Sequence, residues 1–168
     1  IARQQKIARV RRALASGAAL IPVLASDETA LRRQAEAMDD GDPRLDWLLA
    51  QAPRWRDAGE KTLVFVAHRE TLEMLRTALS HRAQLASGVF HEELSPARRD
   101  TEVARFREHG GPSLLVSTEC GGEGRNFEFC RRLVLFDLPW KPSVVEQRIG
   151  RLDRIGRRIP VDVVYFRP

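Results

Sequence analysis

The sequence predicts an α/β domain with a mainly parallel sheet covered on both faces, preceded by a helical segment. Three observations lead there. Short, almost wholly apolar runs recur from residue 62 onward, too continuous for a strand with one wet face. Stretches of helical spacing and turn signals separate them, so strand and helix alternate. The first 58 residues carry helical periodicity alone.

Length and composition set the outer bounds. A chain of 168 residues is about one domain by the usual prior of roughly 100 to 200 residues each. Hydrophobic residues at 43% and charged residues at 30% exclude a disordered, collagen-like or disulfide-scaffold chain. The longest apolar runs fall far short of the ~20 residues of a membrane span. Cys120 and Cys130 stand ten positions apart with no Cys-Xaa-Xaa-Cys or Cys/His spacing, so structural zinc is not indicated and reduced thiols are expected. The chain starts at Ile1 and ends at Arg167-Pro168 directly after an apolar run, so a piece of a longer protein is expected.

Ile7, Val10, Leu14 and Ala18 give an amphipathic helix over residues 1–21, stopped by Pro22. Ser26 can cap a second helix with Asp27 and Glu28 in its first turn and Leu31, Ala35 and Met38 on one side. Asp42 followed by Pro43 opens a third, short helix through Leu45, Leu48 and Leu49, ended by Pro53 and then Ala58-Gly59. Residues 59–168 form the α/β domain. Its strands are expected at 62–67, 86–90, 114–117, 133–138 and 161–166. One helix carries Leu72, Leu75 and Leu79; another starts at Ser95-Pro96 with Val103 and Phe106 inward; a third is capped by Ser143 and runs through Val145, Ile149 and Leu152.

Charge is unevenly placed. From Arg125 to Arg158 nine basic residues face four acidic ones, a net +5 that equals the excess of the whole chain. A cationic surface of this kind suits phosphate, of a nucleotide or of a nucleic-acid backbone; a solvated face is the plain alternative.

Two segments could carry chemistry. On a continuous helix, Gln147, Gly150 or Arg151, and Arg154 would share one face, setting two planar guanidiniums beside a glycine, a geometry that matches a phosphate group. The segment from Ser117-Thr118 through Gly121, Gly122 and Gly124 to Asn126 follows a strand, where open parallel sheets place ligands and where glycine lets backbone amides approach an anion. His68, His81, His91 and His109 show no metal-like grouping, and no metal site is expected. Trp47 and Trp55 read as packing residues, Trp140 as a candidate contact with nucleic acid or with a partner lobe.

In this order the elements resemble motifs V and VI in the second RecA-like lobe of superfamily two helicases. They are the Ser-Thr strand end, Gly121-Gly122-Glu123-Gly124-Arg125-Asn126, a strand ending at Asp137, Trp140-Lys141-Pro142, and Gln147-Arg148-Ile149-Gly150-Arg151-Leu152-Asp153-Arg154-Ile155-Gly156. The Trp-Lys-Pro and Arg-Ile-Gly elements are similar to those of Swi/Snf-type ATPases, and the runs Glu123-Gly124-Arg125-Asn126-Phe127, Phe136-Asp137-Leu138-Pro139 and Glu146 to Gly156, with Phe90-His91-Glu92 and the Leu63 to Ala67 strand upstream, resemble the RapA (HepA) branch of bacterial RNA polymerase-associated ATPases. The resemblance reaches back to about Asp42-Pro43-Arg44. Two positions depart from the pattern: Lys141, where Asn is usual, and Arg157, where Gln is usual.

The resemblance implies a RecA-like three-layer fold and a role as the second motor lobe of an ATP-dependent, DNA-binding translocase of the bacterial cytoplasm, associated with the nucleoid and acting in transcription. It implies that Arg151 and Arg154 reach the γ-phosphate of ATP across an interlobe cleft. Gln147, Gly122, Glu123, Gly124 and Asn126 would line that cleft. Ser117, Thr118 and the nearby Arg131, Arg132, Trp140 and Lys141 would meet duplex nucleic acid. ATP and Mg2+ would be bound mainly by the missing first lobe, with no cofactor held by this chain alone. Implied partners are that first lobe, duplex nucleic acid and RNA polymerase. The sequence contains no GxxxxGK[ST] loop and no acidic pair after a strand, so the chain alone is expected to be inactive. Residues 1–58 would be the end of an insertion between lobes or a partner-binding appendage. The rival readings are a non-catalytic nucleic-acid or RNA polymerase binding module and a dinucleotide enzyme; the latter is disfavoured because Gly-Gly-Xaa-Gly is not GxGxxG.

Overall fold

The computed structural model describes residues 2–118 and 125–167. Their order is α1 (Ala2–Ala15), α2 (Gly17–Leu20), a 3-10 turn at Ile21–Val23, α3 (Thr29–Asp40), α4 (Pro43–Asp57), β1 (Thr62–Phe65), α5 (Arg69–Ala83), β2 (Gly88–Phe90), α6 (Pro96–Arg107), β3 (Leu114–Ser117), β4 (Arg132–Leu135), α7 (Pro142–Gly150) and β5 (Asp162–Tyr165). All five strands run parallel, in the order β2-β3-β1-β4-β5.

Alternation along the strands sorts the core into two layers. Val64, Val66, Leu114, Val116, Val134 and Phe136 face the helices α4 and α5. Leu63, Phe65, Leu115, Leu133 and Leu135 face α6 and α7. β1 and β3 are buried throughout and β4 nearly so, which is why they read as unbroken apolar runs, whereas the edge strand β5 is only partly buried. Among the described residues no helix is long and apolar enough to cross a membrane.

The amino-terminal half departs from its sequence expectation in several places. The single helix over 1–21 is broken at Ser16, whose extended backbone caps α2 through a hydroxyl that accepts from the Ala19 amide at 3.0 Å. The same Oγ lies 2.7 Å from Thr71 Oγ1 on α5, so the break ties the segment to the domain. Ser26 is not a cap. The N-cap of α3 is Glu28, whose carboxylate accepts from the Ala25 amide and pairs with Arg9. Pro53 does not end α4, which continues to Asp57. The lost helix bond costs about 3 kcal/mol, offset by burying Ala52 and Trp55 on the face that continues.

Leu45, Leu48, Ala52 and Trp55 of α4 belong to the same core as β1, β3 and α5, so this helix packs with the sheet although it precedes the expected boundary at residue 58. Ile7, Val10 and Leu14 of α1 and Leu31 and Met38 of α3 stand exposed, so only Ala35 of the inner stripe read for α3 is buried. Ser143 is likewise not a cap: α7 begins after Lys141 with no side-chain cap.

Helices α2 and α3 cross closely because Gly17 has no side chain. A Cβ there would lie 1.7 Å from the Ala35 carbonyl oxygen, and the amides of Gly17 and Ala18 donate to the Asp39 carboxylate at 2.7 Å each. Gly17→Ala should therefore force the helices apart and cost about 1–3 kcal/mol of stability, read as a lowered Tm against wild type. An unchanged Tm would show that this crossing has slack.

Candidate functional site

Strand β1 leaves the sheet through α5 on one face and its neighbour β4 leaves through α7 on the other. The chain therefore diverges at the carboxyl ends of β1 and β4, and open parallel sheets bind ligands at such a point. There the Asp137 carboxylate accepts from the Ala67 amide at 2.9 Å, bridging the two strand ends. Burial pushes the Asp137 carboxyl above its usual range, against the Ala67 bond and the nearby Arg148, His68 and Arg44. His68, half-buried beside it, is pushed down by burial and then by Arg12, while Asp137 and Glu70 act upward.

The arginine segment meets this place from the other face. The guanidinium of Arg148, on the buried side of α7, lies 4.8 Å from the centre of the Phe65 ring at the end of β1; that of Arg151 lies 5.5 Å from it. Arg151 is the C-cap of α7, and its carbonyl accepts from the Phe127 amide at 3.0 Å. The chain then turns away, with Leu152 buried in the core.

Arg154 is thus not on the helix face that its spacing suggested. It stands exposed in the segment beyond, because α7 stops at Gly150 and tightens through the Leu152 amide to the Ile149 carbonyl. Gln147 is on α7 and exposed. Asn126 accepts from the Glu128 amide at 2.9 Å through its side chain, fixing the turn into β4. Gly122, Glu123 and Gly124 lie outside the described residues.

The expected nucleic-acid residues do not form one surface. Ser117 and Thr118 lie at the carboxyl edge but are buried; Ser117 donates to the Thr118 carbonyl and Thr118 to the Glu92 carboxylate, at 2.7 and 2.8 Å. Trp140, 64% exposed, and Lys141 stand in the loop before α7, with Arg11 over the indole at 5.4 Å. Arg131 and Arg132 lie at the opposite, amino-terminal edge of the sheet. Arg132, its side chain only 11% exposed, pairs with Glu60 and Asp162 and lies over Trp55 at 4.4 Å. Arg131 pairs with Asp162 at 3.1 Å. Arg125 pairs with Asp100, and Arg157 binds backbone carbonyls. The +5 stretch is accordingly not a single cationic face, since much of its charge is committed inside the lobe.

Sequence reasoning missed Arg148 and Arg44. The first carries the same guanidinium one turn before Arg151; the second donates to the Ala15 and Phe136 carbonyls and the Asp42 carboxylate, joining α1, α4 and the end of β4. The only signal for Arg44 was its place beside Asp42-Pro43. Among the described residues no group of three His, Cys, Asp or Glu stands where it could hold a metal ion.

The family of helicase conserved C-terminal domains matches residues 44–156. The chain belongs to that family. It is 46% identical over 123 residues to the RNA polymerase-associated protein RapA of Vibrio parahaemolyticus, covering 73% of this chain and 12% of that protein. To RapA of Pseudomonas putida (strain GB-1) it is 45% identical over 137 residues, covering 78% and 14%. The chain thus spans a small part of the length of these relatives. The C-terminal part of the Fun30 ATPase domain shares its fold with a TM-score of 0.67 at 19% identity, over 76% of this chain and 41% of that one. The Sulfolobus solfataricus SWI2/SNF2 ATPase core domain does so at 0.54 and 19%, over 69% and 24%. The chain is therefore a RecA-like lobe similar to those of Swi/Snf-type ATPases, as the motifs implied.

Two outcomes follow from the geometry. Arg132→Ala should cost about 1.5–3 kcal/mol in denaturant unfolding by removing the pair to Glu60 and one of the two pairs to Asp162, and should leave duplex affinity nearly unchanged in a salt titration. A binding loss without a stability loss would return Arg132 to the nucleic acid. His68, whose folded pKa lies below its unfolded 6.5, contributes stability that is present above 6.5 and lost as pH falls through the lowered value. Unfolding measured from pH 7.5 to 5 should show this loss, and His68→Asn should flatten it; identical slopes would assign the loss to other groups.

Proposed function

We propose that this chain is the second motor lobe of an ATP-dependent nucleic-acid translocase, in which Arg151 and Arg154 stabilise the charge that develops on the γ-phosphate of ATP held by a first lobe. The observation that carries this reading is the seating of Arg148 and Arg151 on Phe65 at the divergence of β1 and β4. The aromatic ring and the core beneath it hold these guanidiniums in place before any ligand arrives, so little reorganisation accompanies the reaction. Arg154, exposed one turn further, is free of the core and able to reach outward. Gln147, Asn126 and the glycines 122 and 124 would border the same cleft.

Stabilisation of this kind is worth about 10³ to 10⁵ in rate, or roughly 4–7 kcal/mol of barrier. The phosphate loop and the Mg2+ ligands would come from the first lobe, in keeping with the missing GxxxxGK[ST] motif. Duplex contacts are assigned to Trp140, Lys141 and the backbone at 117–118, on the edge that also carries the arginines. Recruitment to RNA polymerase is proposed from the RapA relatives. The helices before α4, within residues 2–41, are assigned to an appendage that meets the rest of the parent protein through the exposed Ile7, Val10 and Leu14.

The test uses the full-length parent. Arg151→Ala and Arg154→Ala should each lower kcat at least about a hundredfold with little change in ATP affinity, because they act on transition-state charge. The 168-residue chain alone should show no nucleic-acid-stimulated hydrolysis. Wild-type kcat in either variant, or turnover by the lone chain, contradicts the reading.

A further inference from the structure

We propose that Arg157 is a positioning residue for Arg154, pinning the segment that carries it to the turn at the end of the glycine-rich loop; this rests on the function proposed above. One guanidinium reaches four backbone carbonyls. It donates to Leu152 at 3.1 Å, just after α7, to Cys130 at 2.6 Å and to Glu128 in the turn before β4, and to Ile159 at 2.5 Å on the way to β5. Three stretches of chain are thereby joined through one side chain.

The two anchored pieces are those that the function needs in register. Phe127 and Cys130 close their own turn, Cys130 amide to Phe127 carbonyl at 2.9 Å, and Asn126 reinforces it through Glu128. The Phe127 amide in turn binds the Arg151 carbonyl at 3.0 Å. On the other side, the Arg157 amide donates to the Arg154 carbonyl at 3.1 Å, closing a turn in which Gly156 takes φ +91°. Arg154 therefore begins the very turn that Arg157 ends. Fixing Arg157 fixes the backbone from which Arg154 projects, while the Arg154 side chain itself stays exposed. An exposed arginine on an unheld turn would have to be ordered at each catalytic cycle, and small misplacements of a charge-stabilising group are costly in rate.

The chemistry asks for arginine. Its planar fork offers five N–H donors in fixed directions, whereas lysine is a point charge and glutamine has two donors. Glutamine, the residue usual at this place in the resembling family, would hold at most part of the set.

The experiment measures kcat, KM for ATP and melting temperature in the full-length parent for Arg157→Ala, Arg157→Gln, Arg154→Ala and the Arg154→Ala/Arg157→Ala double variant. Arg157→Ala should lower kcat about tenfold or more with KM within about twofold, and Arg157→Gln should recover part of the loss. In the Arg154→Ala background the Arg157 change should add almost nothing, since it acts through a side chain already gone. A merely structural brace would add its full loss in that background and would scale with melting temperature. Unchanged kcat in Arg157→Gln and Arg157→Ala, or additive losses, beside a crippled Arg154→Ala overturns the positioning role alone. Unchanged kcat in Arg154→Ala overturns it together with the function on which it rests. Should Arg157→Ala fail to fold, a loss of about threefold or more in soluble Arg157→Gln, absent in the Arg154→Ala background, supports the role, and wild-type kcat overturns it.

Discussion

Strand β1 is hydrogen-bonded along both edges and buried on both faces, and the rest of the lobe is arranged by that constraint. Thr62 to Phe65 pair with β3 on one side and β4 on the other. Because all the strands are parallel, each connection is a crossover, and the helices that leave β1 and β4, α5 and α7, occupy opposite faces. The strand ends are thereby left open where the helices part. Phe65, the last residue of β1, carries two guanidiniums, and the next exposed amide, Ala67, is held by Asp137 from β4. The proposed ligand site at this edge follows from sheet order before it depends on any one residue.

Arginine serves four different purposes in this chain, and a tally of charge cannot distinguish them. Arg132 is an ion-paired plate on Trp55 at the far edge; Arg148 is buried against an aromatic ring; Arg44 and Arg157 serve backbone carbonyls; Arg154 is exposed. The guanidinium allows this because it is flat, always charged and rich in directed donors. The local net charge therefore overstates the field available to nucleic acid.

The strands, their parallel arrangement and the helices α5 and α6 were legible in the sequence because burial on two faces and the Ser95-Pro96 start write themselves directly into residue choice. The family was legible from motif order. Other features depend on tertiary partners and were not. Ser16 breaks a helix only because Thr71 and Ala19 use its hydroxyl, and Pro53 is passed because Trp55 has a core to enter. Arg131 and Arg132 looked like backbone contacts because sequence places them near the site, yet the start of β4 lies a strand's length from its end. Arg154 shared a helical spacing with Gln147 but not a helix, since the turn beyond Gly150 is set by Leu152 entering the core.

The central claim is that Arg151 and Arg154 act on nucleotide and not on the nucleic-acid track. The most direct measurement is the salt dependence of duplex binding by the full-length parent carrying both Arg151→Ala and Arg154→Ala, taken beside its ATP turnover. The account predicts that turnover collapses while the slope of log affinity against log salt stays that of the wild type. A slope reduced by about two units, one for each lost phosphate contact, with turnover retained, would contradict it.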